Sequence, residues 1–357
     1  MKQVLFTVSF ICTAALCSAQ NILTVDEAIA TALKNNYDIQ LLRNDSASFA
    51  LDNSYAKMAF YPRVNATGGL VYNNNNQLQK FSDGTKRERN GIRSSNLTGS
   101  AQLNWTLFDG FKMFATKDKL AQFVKLGELN IKTQMVTSVA AVINNYYNIV
   151  YQKQQLKAIE DQMSINEERV KLADKKFSTG LGAKPELLQA KTDLNAQKAA
   201  RIKQQTLIAQ LKETLNQLIN VAQQTSYDVS DSIPINTGIV LGEVLAAVES
   251  TNPSLLVTKK NLEIANLTLK EKKADRYPVL SFNSAYNYTK ADNKAVVNPF
   301  TPLYSRNNGF NYGLGLSIPI FNAFNAKRNI QQAQLDIDYL KLSYQNQQSK
   351  INAGIVN

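Results

Sequence analysis

The chain has 357 residues, a formal net charge of +12, no histidine and two cysteines. Both cysteines, Cys12 and Cys17, fall within the first 19 residues, so the rest of the chain excludes thiol nucleophiles, disulfides, Cys/His metal sites and His-based acid–base catalysis. The basic balance raises nucleic acid as a partner. Lys and Arg are, however, spread along polar helix faces between Gln and Asn, the pattern of a solvated surface, and no nucleic acid is expected.

Lys2 gives a positive start, Val4 to Leu16 is mostly apolar, and Cys17-Ser18-Ala19 precedes Gln20. Residues 1–19 therefore read as a secretory signal peptide cleaved after Ala19. The apolar run is too short for a spanning helix, and bulky Leu16 stands where lipidation of Cys17 would need a small residue. No later run approaches the ~18 apolar residues of a helical span. A secreted chain can still enter a membrane as a β-barrel, whose strands are signalled only by alternation.

In chain order, residues 24–60 carry apolar residues at helical spacing, with Asp26 and Glu27 in the first turn, where carboxylates favour the helix dipole. Tyr61-Pro62 ends that helix. A strand is expected over 62–73, with small Ala66 and Gly68 at its centre, then a polar loop over 73–94 that includes Asn73 to Asn76. A second strand over 95–108 alternates Leu97, Gly99, Ala101, Leu103, Trp105 and Leu107 with Asn96, Thr98, Ser100, Gln102, Asn104 and Thr106. From 111 to 178 there is no proline and one glycine, and apolar residues recur at three and four; such a helix would be about 100 Å long and must bury its stripe along neighbours of similar length. A tip over 179–184 holds Gly180-Leu181-Gly182, and a return helix runs over 185–222 behind Pro185. A linker over 223–238 leads to a half-helix over 239–276, a strand pair over 278–290 and 309–321, and a helix over 324–357. The half-helix 24–60 and the return helix together match the long helix in length, arithmetic that points to a tube wall.

The second half repeats the first. Residues 23–64 align with 239–280 at a constant offset of 216, placing Glu27 on Glu243, Asn36 on Asn252, Tyr61-Pro62 on Tyr277-Pro278 and Tyr72 on Tyr288. After one gapped loop, Phe108 aligns with Phe321 at an offset of 213. The chain reads as two structural repeats, 20–222 and 239–357, each ordered helix, strand, loop, strand, helix. The strand faces opposite the apolar ones are Ser, Asn, Gln, Gly and Thr rather than Lys and Glu, and each strand has the ~10 residues that cross a bilayer at a tilt. Tyr72, Trp105, Tyr286, Tyr288 and Tyr312 are candidates for interfacial aromatic girdles.

These features together resemble the TolC-like outer-membrane efflux family. The resemblance rests on the duplication and on Tyr61-Pro62 and Tyr277-Pro278 before strands. It rests also on the strand ends Phe108-Asp109-Gly110 and Phe321-Asn322 before long helices, and on the segment 177–194 with its Gly-Leu tip. It implies a mainly α fold with β: a long α-helical coiled-coil barrel continuous with a transmembrane β-barrel, four strands from each of three protomers. It implies an outer-membrane exit duct of a Gram-negative bacterium, with helices in the periplasm. Such a duct serves a tripartite efflux or type I secretion system and passively exports drugs, toxic compounds or proteins. The implied partners are two further copies, outer-membrane lipid, a periplasmic adaptor that meets Gly180, Leu181 and Gly182, and through it an inner-membrane pump of the RND, ABC or MFS type.

The second repeat stops at Asn357, which aligns with Asn144, so a second tip and return helix have no counterpart here. The expectation is a truncated reading of a longer protein, with DNA just downstream encoding a helix, a Gly-Leu tip and a return helix; a stop codon followed by unrelated sequence would argue against it. A periplasmic coiled-coil adaptor or scaffold without a barrel, or a non-functional fragment, is the rival reading, and recovery in the soluble periplasm would favour it. No catalytic, cofactor-binding or metal-ligating residue is identified. Asp109 is replaced by Asn322 in the second repeat, so a helix-start cap accounts for it better than catalysis.

Overall fold

The computed structural model describes residues 22–356 apart from 224, 226, 231, 235–237 and 239; the expected signal peptide 1–19 and Asn357 lie outside the described residues. The elements in chain order are β1 (Ile22–Leu23), α1 (Val25–Asn35), α2 (Tyr37–Ser54), a 3-10 turn (Ala56–Phe60), β2 (Arg63–Lys80), β3 (Lys86–Phe108), α3 (Lys112–Ser178), α4 (Lys184–Ile219), β4 (Asp228–Val229), α5 (Leu241–Thr251), α6 (Pro253–Ala274), β5 (Val279–Asn293), β6 (Tyr304–Ser317) and α7 (Asn325–Val356). They divide into two units: residues up to Arg43 with Ile131–Val240, and Asn44–Asn130 with Leu241–Asn357. Among the described residues, no helix is long and apolar enough to cross a membrane.

In the first unit, Thr24 caps α1. Its Oγ1 accepts from Glu27 N at 3.2 Å, and Glu27 Oε2 accepts from Thr24 N at 3.1 Å, so two free N–H groups are satisfied reciprocally. Ala28 and Ala32 are fully buried, and their small side chains let α1 approach α4 closely. The core joins them to Val142, Tyr146, Ile149 and Val150 of α3 and to Ile208, Leu215 and Ile219 of α4. The expected single helix 24–60 is broken at Asn36, whose extended ψ of 126° ends α1. Asn36 Oδ1 accepts from Asp38 N at 2.9 Å and Ile39 N at 3.3 Å, which starts α2. Its Nδ2 donates to Leu218 O, while Asn220 Nδ2 donates to Asn35 O, so two asparagines satisfy carbonyls at the ends of α1 and α4. Asn220 itself is left-handed (φ 52°, ψ 55°), and α4 stops three residues before the expected end at 222.

A short parallel bridge pairs β1 with β4, Ile22 opposite Asp228 and Leu23 opposite Val229. Tyr146, buried beneath it, donates its hydroxyl to Leu23 O at 2.8 Å and accepts from Ser230 N at 3.0 Å. Lys153 Nζ donates to both carboxylate oxygens of Asp228 (3.0 and 2.9 Å), and Lys212 Nζ lies 3.6 Å from the same carboxylate. Burial acts to raise the Asp228 carboxyl, but the Lys153 bonds, the Val229 N–H and the Lys212 charge outweigh it and hold the group below its ordinary value. Tyr227 donates to Lys212 O while Lys212 Nζ donates to Tyr227 O; burial, with the Glu213 charge second, pushes the Tyr227 phenol up to about 12.

The second unit contains one antiparallel sheet in the order β2-β3-β5-β6. The stretch 73–94, expected as a loop, is mostly strand: β2 runs on to Lys80 and β3 begins at Lys86. Phe81 N donates to Thr85 O at 2.9 Å, and Gly84 sits at φ 86°, a three-residue turn with its left-handed glycine. Strand β6 spans Tyr304–Ser317 rather than 309–321, because Pro319 offers no N–H for further pairing. The expected half-helix 239–276 is likewise two helices, α5 and α6. Asn252 between them accepts from Ser254 N and Leu255 N at 3.0 and 3.2 Å.

The passage from β3 into α3 turns on two left-handed residues, Gly110 (φ 73°) and Phe111 (φ 68°). A Cβ on Gly110 would lie 2.7 Å from both Ala274 O and Tyr277 Cβ, so the position excludes any side chain. The passage from β6 into α7 repeats the pair as Ala323 (φ 51°) and Phe324 (φ 62°), with an alanine bearing the strain that Gly110 avoids. Ala323→Gly is expected to stabilise the fold by about 0.5–1 kcal/mol after the larger unfolded-state entropy of glycine, and Gly110→Ala to cost more than about 2 kcal/mol. Denaturant melts of the two variants check the opposite signs. Because the Asp228 carboxyl is held low, its contribution is present above its ordinary value near 3.8 and is lost as pH falls through the folded value. Asp228→Asn should therefore lower the melting temperature at pH 7 and much less at pH 3.

Candidate functional site

Two places in the chain carry side chains that the packing of its own unit does not explain: the sheet, on both faces, and the turn between α3 and α4. Directly opposed residues of an antiparallel sheet share a face. One row therefore carries Ala66, Ala101, Tyr286 and Phe310, and the next carries Val64, Leu103, Ser284 and Tyr312. Trp105, Phe282 and Leu314 follow on the same face toward the helices; Gly68, Gly99 and Tyr288, then Leu70 and Leu97, then Tyr72 and Ser95 follow in the other direction. All five aromatic residues singled out from sequence, Tyr72, Trp105, Tyr286, Tyr288 and Tyr312, thus lie on one face. Tyr72, Tyr286 and Tyr312 are exposed along with Leu70, Phe310 and Leu314. Trp105 Nε1 donates to Phe60 O at 2.8 Å, tying the ring's polar edge to the 3-10 turn.

The other face is small and polar. Its rows read Asn65, Gln102, Ala285, Asn311; Thr67, Ser100, Asn287, Gly309; and Gly69, Thr98, Thr289, Asn307. Ser100 Oγ donates to Asn287 Oδ1 at 3.0 Å. These rows hold no ionisable side chain. The outer backbone edges of β2 and β6 have no partner strand among the described residues.

The junction residues gather at the helix-proximal end of the sheet. Phe108 meets Phe111 edge to face at 5.3 Å, Phe114 meets Phe60 at 5.0 Å, and Phe321 meets Phe324 at 5.6 Å. Asp109 accepts from Met113 N at 3.3 and 3.1 Å, satisfying a free N–H of the first turn of α3. Asn322 takes part through its backbone, its carbonyl accepting from Asn325 N at 3.1 Å. Tyr61 and Tyr277 are exposed, and Pro62 and Pro278 stand at the residue before β2 and β5. Lys112 pairs with Asp275 at 2.7 Å; Glu271 accepts from Thr116 Oγ1 at 2.6 Å and also pairs with Lys119.

At the tip, α3 ends in paired reverse bonds, Leu181 N to Lys176 O at 2.9 Å and Gly180 N to Phe177 O at 3.1 Å, with Gly180 left-handed (φ 75°). A Cβ on Gly182 would lie 2.9 Å from Lys176 Cβ. Each glycine therefore has a backbone reason. Leu181 has none: it is 84% exposed where this type of cap usually folds its apolar residue back onto the helix.

Sequence reasoning missed the distal strand extension and the cations on it. Asn73 to Asn76 has low strand propensity, but Asp83-Gly84 is a hairpin signal that could have found the turn.

The family model described as outer membrane efflux protein matches residues 28–221 of the chain. Among solved structures, the fold is similar to CusC, in a study of its folding and transmembrane channel formation, at 17% identity and a TM-score of 0.70, over 92% of this chain and 73% of that one. It is similar to the CmeC outer membrane channel of Campylobacter jejuni at 17% identity and a TM-score of 0.70, over 90% and 67%. It is similar also to the outer membrane protein VceC of Vibrio cholerae at 13% identity and a TM-score of 0.70, over 91% and 75%. At these identities the likeness is one of fold. No curated protein matches the chain.

Proposed function

The chain belongs to the outer membrane efflux protein family, and on that footing we propose that it is one protomer of a trimeric outer-membrane exit duct in a tripartite efflux system, with its helices in the periplasm. The observation that carries this reading is the sheet: one apolar, aromatic face, one small polar face, and two open edges. Four strands cannot close a barrel, and unpaired backbone is not tolerated in lipid, so the edges of β2 and β6 need strands from other copies; three copies give twelve. Trp105 and the Tyr72 row lie ten residues apart along β3, ~34 Å of strand, or roughly 26 Å of height at a barrel tilt of about 40°. That is close to the height of an outer-membrane apolar band, with an aromatic at each border and the Lys290–Arg306 row just inside the Tyr72 border, at the interface. Tyr312 lies toward the Trp105 border, whereas Tyr286 and Tyr288 lie within the band.

The polar rows then line a water-filled lumen whose wall carries one fixed charge at its helix-proximal end, Arg63 in the row of Asn104 and Asn283, and transport through it is passive. Two copies of the helix, strand, loop, strand, helix unit supply the two hairpins. The matching left-handed pairs at 110–111 and 323–324, and the matching caps Asn36 and Asn252, support that duplication. The tip is assigned to a periplasmic adaptor, with Leu181 as the apolar contact and Gly180 and Gly182 as the residues that shape the turn.

The chain beyond residue 19 has no cysteine, so single cysteines report cleanly. In whole cells, Ser100→Cys should react with a small water-soluble maleimide, and Ala101→Cys, one residue along β3, should react at least tenfold more slowly. Equal labelling of both, or recovery of the chain in the soluble periplasm, would overturn the duct.

A further inference from the structure

One end of the sheet's apolar face departs from the pattern of the rest. From Trp105 up to the row of Tyr288, that face carries no charged residue. The next rows place Lys290 and Arg306 level with Leu97, Asp292 level with Ser95 and Tyr72, and Arg93 opposite Asn74. Arg93 and Arg306 are exposed, and among the described residues neither has an ion-pair partner. The one carboxylate nearby, Asp292, has Lys294 Nζ at 3.6 Å, and the Lys290 ammonium lies 5.6 Å from the centre of the Tyr304 ring. Tyr72, Asn74, Arg93 and Ser95 border an open cleft of about 600 Å³ together with Asp292 and Lys294. On the polar face at the same level stand Asn73, Ser94, Asn96 and Ala291, all uncharged. The cations therefore point away from the lumen side.

Resting on the reading of this sheet as a membrane wall, we propose that Arg93, Lys290 and Arg306 form a basic rim that docks phosphorylated lipid headgroups of the outer leaflet, the occupant being the phosphate-bearing saccharide of lipopolysaccharide. A cation on a lipid-facing strand position is costly at the bilayer midplane and nearly free at the interface, so three cations confined to one end fix that end at the headgroups. Guanidinium groups bind phosphate oxygens through two parallel N–H bonds, and two of the three cations are arginines. Tyr72 and Tyr304 flank them with rings suited to the boundary between acyl chains and headgroups.

The test uses the full-length protein purified in neutral detergent and titrated with lipopolysaccharide, with its melting and oligomeric mass followed in the same samples. Intact lipopolysaccharide should raise the melting temperature by several degrees, and enzymatically dephosphorylated lipopolysaccharide should give less than half that shift. The R93Q/K290Q/R306Q variant should bind intact lipopolysaccharide at least tenfold more weakly, whereas R93K/K290R/R306K, which keeps the charges, should bind within about threefold of wild type. Equal shifts from the intact and dephosphorylated lipids, or wild-type binding by the glutamine variant, would overturn the proposal. If the glutamine variant does not assemble, the comparison of the two lipids on wild type decides alone. A chain that is monomeric and water-soluble before lipid is added fails the duct reading itself, an outcome separate from a trimer that ignores phosphate.

Discussion

The sheet order β2-β3-β5-β6 leaves two edges, and those edges constrain everything else proposed for this chain. Each edge presents a row of backbone N–H and C=O groups that water can satisfy and hydrocarbon cannot. An apolar face with exposed Leu70, Tyr72, Phe310, Tyr312 and Leu314 is unfavourable in water, while the open edges are unfavourable in lipid. In the duct proposed above, closing the edges with further copies and placing the apolar face in lipid would resolve both together. The rows of Asn, Ser, Thr and Gln on the opposite face would then enclose a polar space in which Arg63, at the helix-proximal end, is the charged side chain of the named rows.

How a strand becomes a long helix is the second constraint. An extended chain entering a helix must change direction within a few residues, and here it does so twice through consecutive left-handed residues, Gly110-Phe111 and Ala323-Phe324. Gly110 fits against Ala274 O and Tyr277 Cβ because nothing projects from it. At both junctions the phenylalanines stack edge to face, Phe108 on Phe111 and Phe321 on Phe324, which covers the reversed backbone with apolar surface. The ion pairs Lys112–Asp275 and Lys119–Glu271 link α3 to the end of α6 beside the first junction.

The helices of the first unit are held by a different device. Asparagines stand where helices stop or restart, and their amides satisfy both the broken helix and its neighbour, as with Asn36 to Leu218 O and Asn220 to Asn35 O. Tyr146 and the Lys153–Asp228–Lys212 group fasten the short β1–β4 bridge over the core. At the tip, the two glycines serve the backbone and leave Leu181 exposed.

Period-two alternation in 95–108, period-three-and-four apolar spacing in 111–178, and the glycines of the tip were legible because each is a local rule of backbone geometry. The amino-acid sequence by itself therefore determined the long helices, the two strand pairs, the turn at the tip, and the absence of histidine and thiol chemistry beyond residue 19, whereas the common face of the aromatics followed only from the register. It did not disclose that 73–94 is strand, since Asn-rich segments have weak propensity and only pairing across the hairpin holds them extended. Nor did it reveal the breaks at Asn36 and Asn252, where the competing choice between continuing a helix and capping a new one is settled by neighbours such as Leu218 O. The alignment of Arg93, Lys290 and Arg306 at one end of one face was likewise decided only by tertiary structure. Register between strands distant in sequence depends on long-range hydrogen bonding, which no local pattern encodes.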